Sequence, residues 1–414
     1  MLSGLRSRLW DAHQSGVATL FLAVSINAFG AGMFVPFALL YYQAATSLSA
    51  GAIGVALTAA TLVTLVVTPV TGALVDRFGA RPLVVLSQGV EAVGFIGYLA
   101  VSSSWSLFGA ALVATAGTRM FYASFSTLIA ESAVGAERDR WYGFVGITQS
   151  AGASLSGLLA SVLISSLGLT GFRVIITGTA CCLIASALLI RTGHRRRERP
   201  PEAGASDGYR HVLRDRAFLR LVLSNTAFIL YSMLIGVGFA VYVTAALGAP
   251  LWSVGFTGVL QTGLVVGLQT RVTGVLSAVR RTRAMLVAGG LWVLTCLLLV
   301  GGTWIPASLI VPYLAAVATI FTLGQLCYVP ASRALAAELA PPECRGRHVA
   351  LFELSYGMAA AMAPAAFGVT YDYADVAPWL GVSVLLMAAM VLLRQAEMMI
   401  PITRNRPNLV GGVT

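Results

Sequence analysis

The chain has 414 residues, 57% of them hydrophobic and only 10% charged, and its mean hydropathy is +0.84. Its 27 basic residues, all arginine, outnumber 16 acidic ones and leave a formal net charge of +11. The hydropathy excludes a soluble globular fold. A nucleic-acid-binding surface is excluded too, because the arginines are scattered over short connections and do not gather on one face.

A helix that crosses a hydrocarbon core of about 30 Å needs about 20 mainly apolar residues. In chain order the stretches expected to do so are Val17–Tyr42, Gly51–Val75, Pro82–Val101, Trp105–Ile129, Tyr142–Ser165, Phe172–Ile190, Leu221–Leu247, Trp252–Ser277, Ala284–Val300, Ala307–Ala331, Val349–Tyr371 and Trp379–Leu393. The sequence therefore predicts an all-α membrane protein with twelve transmembrane helices. The connections at 43–49, 102–104, 166–171, 248–251, 301–306 and 372–378 hold no basic residue. The alternate connections hold Arg77 and Arg81, Arg138 and Arg140, the run HRRRER from His194, Arg280, Arg281 and Arg283, and Arg345 and Arg347, while Arg6, Arg8, Arg404 and Arg406 flank the outermost stretches. The positive-inside bias assigns this second set, and both termini, to the cytoplasm of a multi-pass protein of the inner (plasma) membrane. Residues 1–16 are polar and the first apolar stretch is too long for a signal sequence, so no cleavable leader is expected. Cys181, Cys182, Cys296, Cys327 and Cys344 fall inside spans or in an inner connection, so no disulfide is expected.

Two internal echoes divide the chain. TGALVDRFGARPL from Thr71 returns as TGVLSAVRRTRAML from Thr273, and AESAVGAERDR from Ala130 returns as AELAPPECRGR from Ala337, with Glu131 facing Glu338, Arg138 facing Arg345 and Arg140 facing Arg347. Both echoes follow the second and fourth spans of their half, so the halves share orientation as a parallel repeat. The expected division is a six-helix bundle at 1–192, a polar cytoplasmic linker at 193–218 with a short surface helix after Asp207, and a second six-helix bundle at 219–414.

The chain has no lysine, hence no phosphate-gripping P-loop lysine and no Schiff-base amine. His13, His194, His211 and His348 all lie at or beyond the inner ends of spans, and neither a metal-ligand spacing nor a nucleophilic set can be assembled; an enzyme is not expected, nor any cofactor or metal. Titratable groups inside spans are few. Glu91 lies about ten residues into span three, about 15 Å deep at ~1.5 Å per residue, and Glu353 about one turn inside span eleven. Acids at such depth are costly and mark ion or substrate paths. Arg119, at similar depth on span four, is the expected partner of Glu91, either as a pair that substrate or proton entry rearranges or as a permanent lock between the two helices. Arg271 in span eight stands in the same double reading towards Glu353.

The connection after span two, GALVDRFGAR, resembles the loop signature G-x-L-x-D-R-x-G-R of the major facilitator superfamily at Gly72, Leu74, Asp76, Arg77, Gly79 and Arg81. Gly72 suits close helix approach, Gly79 a tight turn, and Asp76 with its arginines can pair with a neighbouring helix end or acid. The resemblance implies two six-helix bundles, a loop that latches one conformational state, and a charge relay for which Glu131, Arg138 and Arg345 are the partners. The second copy keeps Gly274, Leu276 and Arg283 but has Ala278 at the place of Asp76, so the latch is asymmetric. Arg119 in TRMFYASFS also resembles the arginine of the drug:proton antiporter motif, though Tyr122 and Ala123 replace the usual Gln and Gly, and Ser156-Gly157 stands where a Gly-Pro pair ends a further signature. In this fold the first and fourth spans of each half line a central cavity, which nominates Asn27, Phe34, Tyr41, Arg119 and Tyr122, and Asn225, Tyr231, Tyr313, Gln325 and Tyr328. An apolar, aromatic cavity with few polar groups suits an amphipathic organic molecule. The resemblance thus implies a monomeric secondary transporter that exports drugs or metabolites in exchange for protons; a nutrient symporter or uniporter, or a receptor on the same fold, are the alternatives.

Overall fold

The computed structural model describes residues 17–132, 136–192, 215–276, 279–339, 345–400 and 405; within these, the side chains at 17, 18, 69, 76, 126, 129–147, 150, 273, 337, 345–347, 349 and 350 lie outside the description. The described residues are helical almost throughout, with no strand among them. The helices are α1 (Val17–Phe34), α2 (Ala38–Ala45), α3 (Ala50–Val63), α4 (Val67–Phe78), α5 (Ala80–Tyr98), α6 (Ser104–Ser132), α7 (Ala136–Leu167), α8 (Leu169–Thr192), α9 (Arg216–Val241), α10 (Trp252–Leu276), α11 (Arg281–Gly301), α12 (Ile310–Leu339), α13 (Arg345–Tyr373) and α14 (Ala377–Met399). They coincide one for one with the expected spans once α1–α2 and α3–α4 are each taken as a single interrupted helix.

By length and hydropathy alone, six of these stretches are apolar enough to cross a membrane: Thr19–Ala45, Leu169–Thr192, Arg216–Ala246, Arg281–Trp304, Ala307–Ala336 and Ala377–Met399. Serine and threonine in the remaining helices fold their hydroxyls back on their own helix. Thr61, Ser124, Ser165 and Thr370, for example, each donate to a backbone carbonyl four residues earlier. A hydroxyl satisfied in this way needs no water and is tolerated at membrane depth.

The two interruptions follow from proline. Pro69 has no N–H to give the carbonyl four residues back, at position 65, and the chain tightens there into a 3-10 turn at Thr64–Val66. Pro36 sits inside a second such turn, Val35–Phe37. Gly79 ends α4 with φ at +85°, a conformation closed to residues with a Cβ, and its N–H caps Val75 O at 2.7 Å. That confirms the tight turn expected of it. At Gly72, a Cβ would meet no described atom within 4 Å, so among the described residues no close helix approach rests on it.

The chain divides into two compact units, Met1–Gly204 and Ala205–Thr414. Most of the expected linker, 193–214, lies outside the described residues, as does the surface helix after Asp207. The second unit's first helix starts earlier than the expected residue 219, because the Asp215 carboxylate accepts from Phe218 N at 3.0 Å and caps α9 from Arg216 onward. Within each unit the same pairs of helices pack. In the first, α5 lies on α6 and α8, α1 on α7 and α8, and α3 on α6; in the second, α11 lies on α12 and α14, α9 on α13 and α14, and α10 on α12. A side-chain bond repeats with them. The Tyr41 hydroxyl donates to Tyr98 O, and Tyr242 to Leu299 O, each at 2.8 Å and each across 57 residues, tying the end of a unit's first span to the end of its third.

Small residues set the closest crossings. A Cβ on Gly94 would sit 2.3 Å from Ala114 N, and one on Gly117 2.5 Å from Glu91 N, so α5 and α6 touch backbone to backbone. Gly32 meets Ala153 in the same way between α1 and α7. The second unit fits glycine against large rings instead: Gly238 receives Phe367 and Gly324 receives Trp292.

Gly94→Val should therefore force α5 and α6 apart and cost about 3 kcal/mol or more, at the upper end of overpacking. Gly109→Ala, on the same α6 but with open space around it, should stay within about 0.5 kcal/mol of the parent. Thermal unfolding in detergent, followed by tryptophan fluorescence, distinguishes the two.

Candidate functional site

The α5–α6 crossing carries the acid that the sequence singled out. Glu91 is 8% exposed, and its Oε1 accepts from the Thr118 hydroxyl at 2.9 Å. Thr118 has only one hydroxyl proton, and the alternative acceptor, Ala114 O, is also within reach at 3.1 Å. A single neutral donor offsets little of the cost of burying a charge at this depth. Among the described residues no ion pair reaches Glu91, and the expected pairing with Arg119 does not form. The reason is helical phase. Thr118 and Arg119 are consecutive on α6 and diverge by about 100°, so Thr118 takes the direction towards α5 while Arg119 turns to the break in span two. There its Nε donates to the Thr64 hydroxyl at 3.2 Å, a hydroxyl that itself bonds Thr61 O at 2.8 Å. Arg119 remains half-buried, and Tyr122, one turn further on, is 59% exposed.

The other first-half cavity candidates are packed inside their own unit, which corrects the expectation for them. Phe34 lies among Tyr41, Tyr42, Phe95 and Tyr98, with ring centroids 5.4–6.0 Å away. Tyr41 spends its hydroxyl on Tyr98 O, and Asn27 is 9% exposed. In the second unit Asn225 is fully buried, donating to the Ser355 hydroxyl and accepting from Tyr328. Tyr231 packs against Trp292 and Phe321, and Tyr313 donates to Leu298 O at 2.6 Å, closing the end of α11 onto α12. Gln325 stays half-buried. Lying on a cavity-lining span does not make an aromatic side chain a cavity wall; the structure uses most of these rings as packing.

In the loop after α4, the Arg77 guanidinium lies 5.3 Å from the ring centroid of Phe78, an exposed cation–π contact. Arg81 reaches across to the end of α8, its Nε donating to Ile190 O at 2.8 Å. Below it lies an apolar cluster of Val75, Leu83, Phe121, Phe125 and Ile190. Leu74 packs on that cluster; the side chains of Asp76, Glu131, Arg138 and Arg345, in which the expected relay would reside, lie outside the description. The expected pairing of Arg271 with Glu353 does not form either, and both side chains are exposed. Topology explains this: α10 packs on α12, whereas α13 packs on α9 and α14.

Sequence reasoning missed Thr118, Thr64 and Trp292. Trp292 stands in α11 seven residues before Leu299, as Glu91 stands seven before Tyr98 in α5, and it likewise abuts a glycine of the next helix. Its Nε1 donates to Phe321 O at 3.1 Å. The first unit thus keeps a carboxyl where the second has an indole.

Comparison with known proteins gives a consistent result. A family model described as the Major Facilitator Superfamily matches residues 20–299. Curated relatives called multidrug resistance protein MdtH include one from Photorhabdus laumondii, 26% identical over 307 residues and covering 73% of each chain, and one from Edwardsiella ictaluri, 25% identical over 344 residues and covering 81% of this chain and 83% of that one. Among solved structures, the nucleoside transporter NupG superposes with a TM-score of 0.75 at 12% identity, over 92% of this chain and 100% of that chain. A bacterial homolog of the human lysosomal transporter Spinster, inward-facing and occupied, gives 0.70 at 14% identity, over 95% and 98%. At these identities the structural matches show the fold alone.

Thr118→Val removes the only donor to Glu91 among the described residues and should cost about 1–3 kcal/mol of stability, whereas Thr118→Ser should keep most of it. In a double-mutant cycle with Glu91→Gln the coupling should be about 0.5–3 kcal/mol. A cycle that sums to zero in thermal unfolding would show that the two side chains do not interact.

Proposed function

Because the chain belongs to the major facilitator superfamily, a family of membrane transporters and not of enzymes, we propose that it exports small, amphipathic organic molecules from the cell in exchange for protons. Export is supported by the curated relatives, named for multidrug resistance, which align over about three quarters of both chains. The substrate class is supported by the character of the half-exposed face of α6, where Arg119 and Tyr122 combine one cation with an aromatic ring in otherwise apolar surroundings. We assign the protein to the inner membrane, in keeping with its multidrug resistance relatives, and take it to act as a monomer; the distribution of its arginines supports both termini being cytoplasmic.

The observation that carries the proton part is Glu91. It is a carboxyl buried at the middle of a membrane helix, held among the described residues by one hydroxyl and by no cation, and the equivalent position of the second unit holds an indole instead. A structural acid at this depth would be expected to hold a permanent counter-ion. One that leans on a hydroxyl alone can gain and lose a proton without breaking an ion pair. In the proposed cycle Glu91 carries the proton, Thr118 relays changes at Glu91 along α6, and Arg119 on the next residue senses the substrate. The two six-helix units alternate in access, and the loop containing Asp76, Arg77 and Arg81 latches one of the states. Glu353 and Arg271, being exposed and unpaired with each other, are weaker candidates for the coupling path.

Expression in a drug-sensitive bacterial host should lower the accumulation of a lipophilic cationic dye, and collapsing the proton gradient should restore it. In proteoliposomes, Glu91→Gln should abolish acceleration of transport by an imposed pH gradient, a loss of ten-fold or more in driven rate, while leaving downhill exchange. Normal pH-driven transport by folded Glu91→Gln would remove Glu91 from the coupling path; absence of any export by the parent would remove the efflux reading.

A further inference from the structure

The inner end of α14 collects more positive charge than the fold needs. The Glu397 carboxylate, 5% exposed, is shared by three guanidiniums: Arg394 at 2.7 Å, Arg280 at 3.4 Å and Arg283 at 3.8 Å. Arg281 beside them is engaged by Glu338 at 3.8 Å. Arg220 at the start of α9 reaches the same helix end but finds a neutral partner, the Met399 sulfur at 2.9 Å. One carboxylate therefore faces three arginines, with a fourth nearby, and two of the three, Arg283 and Arg394, are more than half exposed at 57% and 61%. A carboxylate that only needed a partner would be satisfied by one.

The surface leading up to these arginines is apolar. Val384, Met387, Val391, Arg394 and Met398 recur at three- and four-residue steps, so they share one face of α14. Val384, Met387, Val391 and Met398 are 63%, 48%, 58% and 76% exposed. The stripe is thus hydrocarbon-compatible along its length and ends in a guanidinium cluster whose charge, among the described residues, exceeds that of the one carboxylate it shares.

We propose that this end of α14 is a binding site for an anionic phospholipid, with the phosphate seated between Arg283 and Arg394 and an acyl chain along Val391, Met387 and Val384. Charge complementarity selects the occupant. The arginines supply bidentate donors for phosphate oxygens, Glu397 holds them in place and disfavours a second anion, and the apolar stripe excludes a ligand that is anionic but lacks a tail. Basic pockets at helix ends on the arginine-bearing side of a membrane recruit acidic headgroups in the same manner. The site is built wholly within the second unit and is independent of the proton and substrate groups assigned to the first.

The test is native mass spectrometry of the purified full-length chain from detergent micelles containing phosphatidylglycerol or phosphatidylcholine. Phosphatidylglycerol should be retained in preference to phosphatidylcholine. Arg283→Gln/Arg394→Gln should reduce that retention about ten-fold or more, and Arg283→Gln alone by a smaller factor, since each arginine near an acidic headgroup contributes separately. Arg191→Gln, an exposed arginine in the other unit, should leave it unchanged. Millimolar inorganic phosphate should not displace the lipid. Equal retention of the two lipids, unchanged retention in both variants, or displacement by phosphate alone would each overturn the proposal, the last by identifying a free-anion site.

Discussion

The structure of the first unit depends on the backbone contact between α5 and α6. Gly94 against Ala114 and Gly117 against Glu91 remove the side chains that would hold two membrane helices apart. In a bilayer there is no hydrophobic force to press such helices together, so close packing and the hydrogen bonds it permits must supply the attraction. At this crossing Thr118 comes within hydrogen-bond reach of Glu91, and Glu91 is closed off from solvent. The same contact therefore sets the helix spacing and determines which side chain the carboxyl can find.

The two units answer the same packing problem with different chemistry. Both tie the end of the first span to the end of the third with a tyrosine bonded to a backbone carbonyl, and both place a large group of the third helix against a glycine of the fourth. In the second unit that group is Trp292, whose indole donates to Phe321 O and packs among Tyr231, Phe321 and Tyr328, leaving no carboxyl at that position. In the first it is Glu91. Duplication supplied the frame twice, and the polar group survives in one copy, where it costs stability that a neutral side chain would not.

What could be read from the sequence follows the range of each interaction. Helix positions were legible because twenty apolar residues in a row admit one structure in a bilayer, and the turn at Gly79 was legible because it is local. The interruption at Thr64 was in principle legible from Pro69, five residues on, through its missing N–H. The partners of Glu91 and Arg119 were not. They lie 27 and 55 residues away, and choosing Thr118 over Arg119 for Glu91 turns on a rotation of one residue about α6 that depth alone does not fix. The cavity candidates failed for a related reason: Phe34, Tyr41, Asn225 and Tyr328 lie on the spans named, but whether a side chain faces a neighbour or a cavity depends on the partner helix. The cluster around Glu397 escaped notice because the repeat marks Arg280 and Arg283 but not the end of α14, which brings Arg394 and Glu397 to them.

Arg119 is the position from which a solute and a proton could be read together. Its guanidinium is held by a hydroxyl, Thr64, which sits in a 3-10 turn where the helix of span two has already lost a regular bond to proline. That turn is a place where the backbone can rearrange at little cost. An anion or a ring arriving at Arg119 and Tyr122 would compete with Thr64 for the guanidinium, and the residue before Arg119 is the only donor to Glu91 among the described residues. A rotation of α6 that serves one of these bonds necessarily strains the other, since both side chains ride on consecutive residues of one rigid helix. Coupling between the two sites then needs no long pathway, only the roughly 100° that separate Thr118 from Arg119.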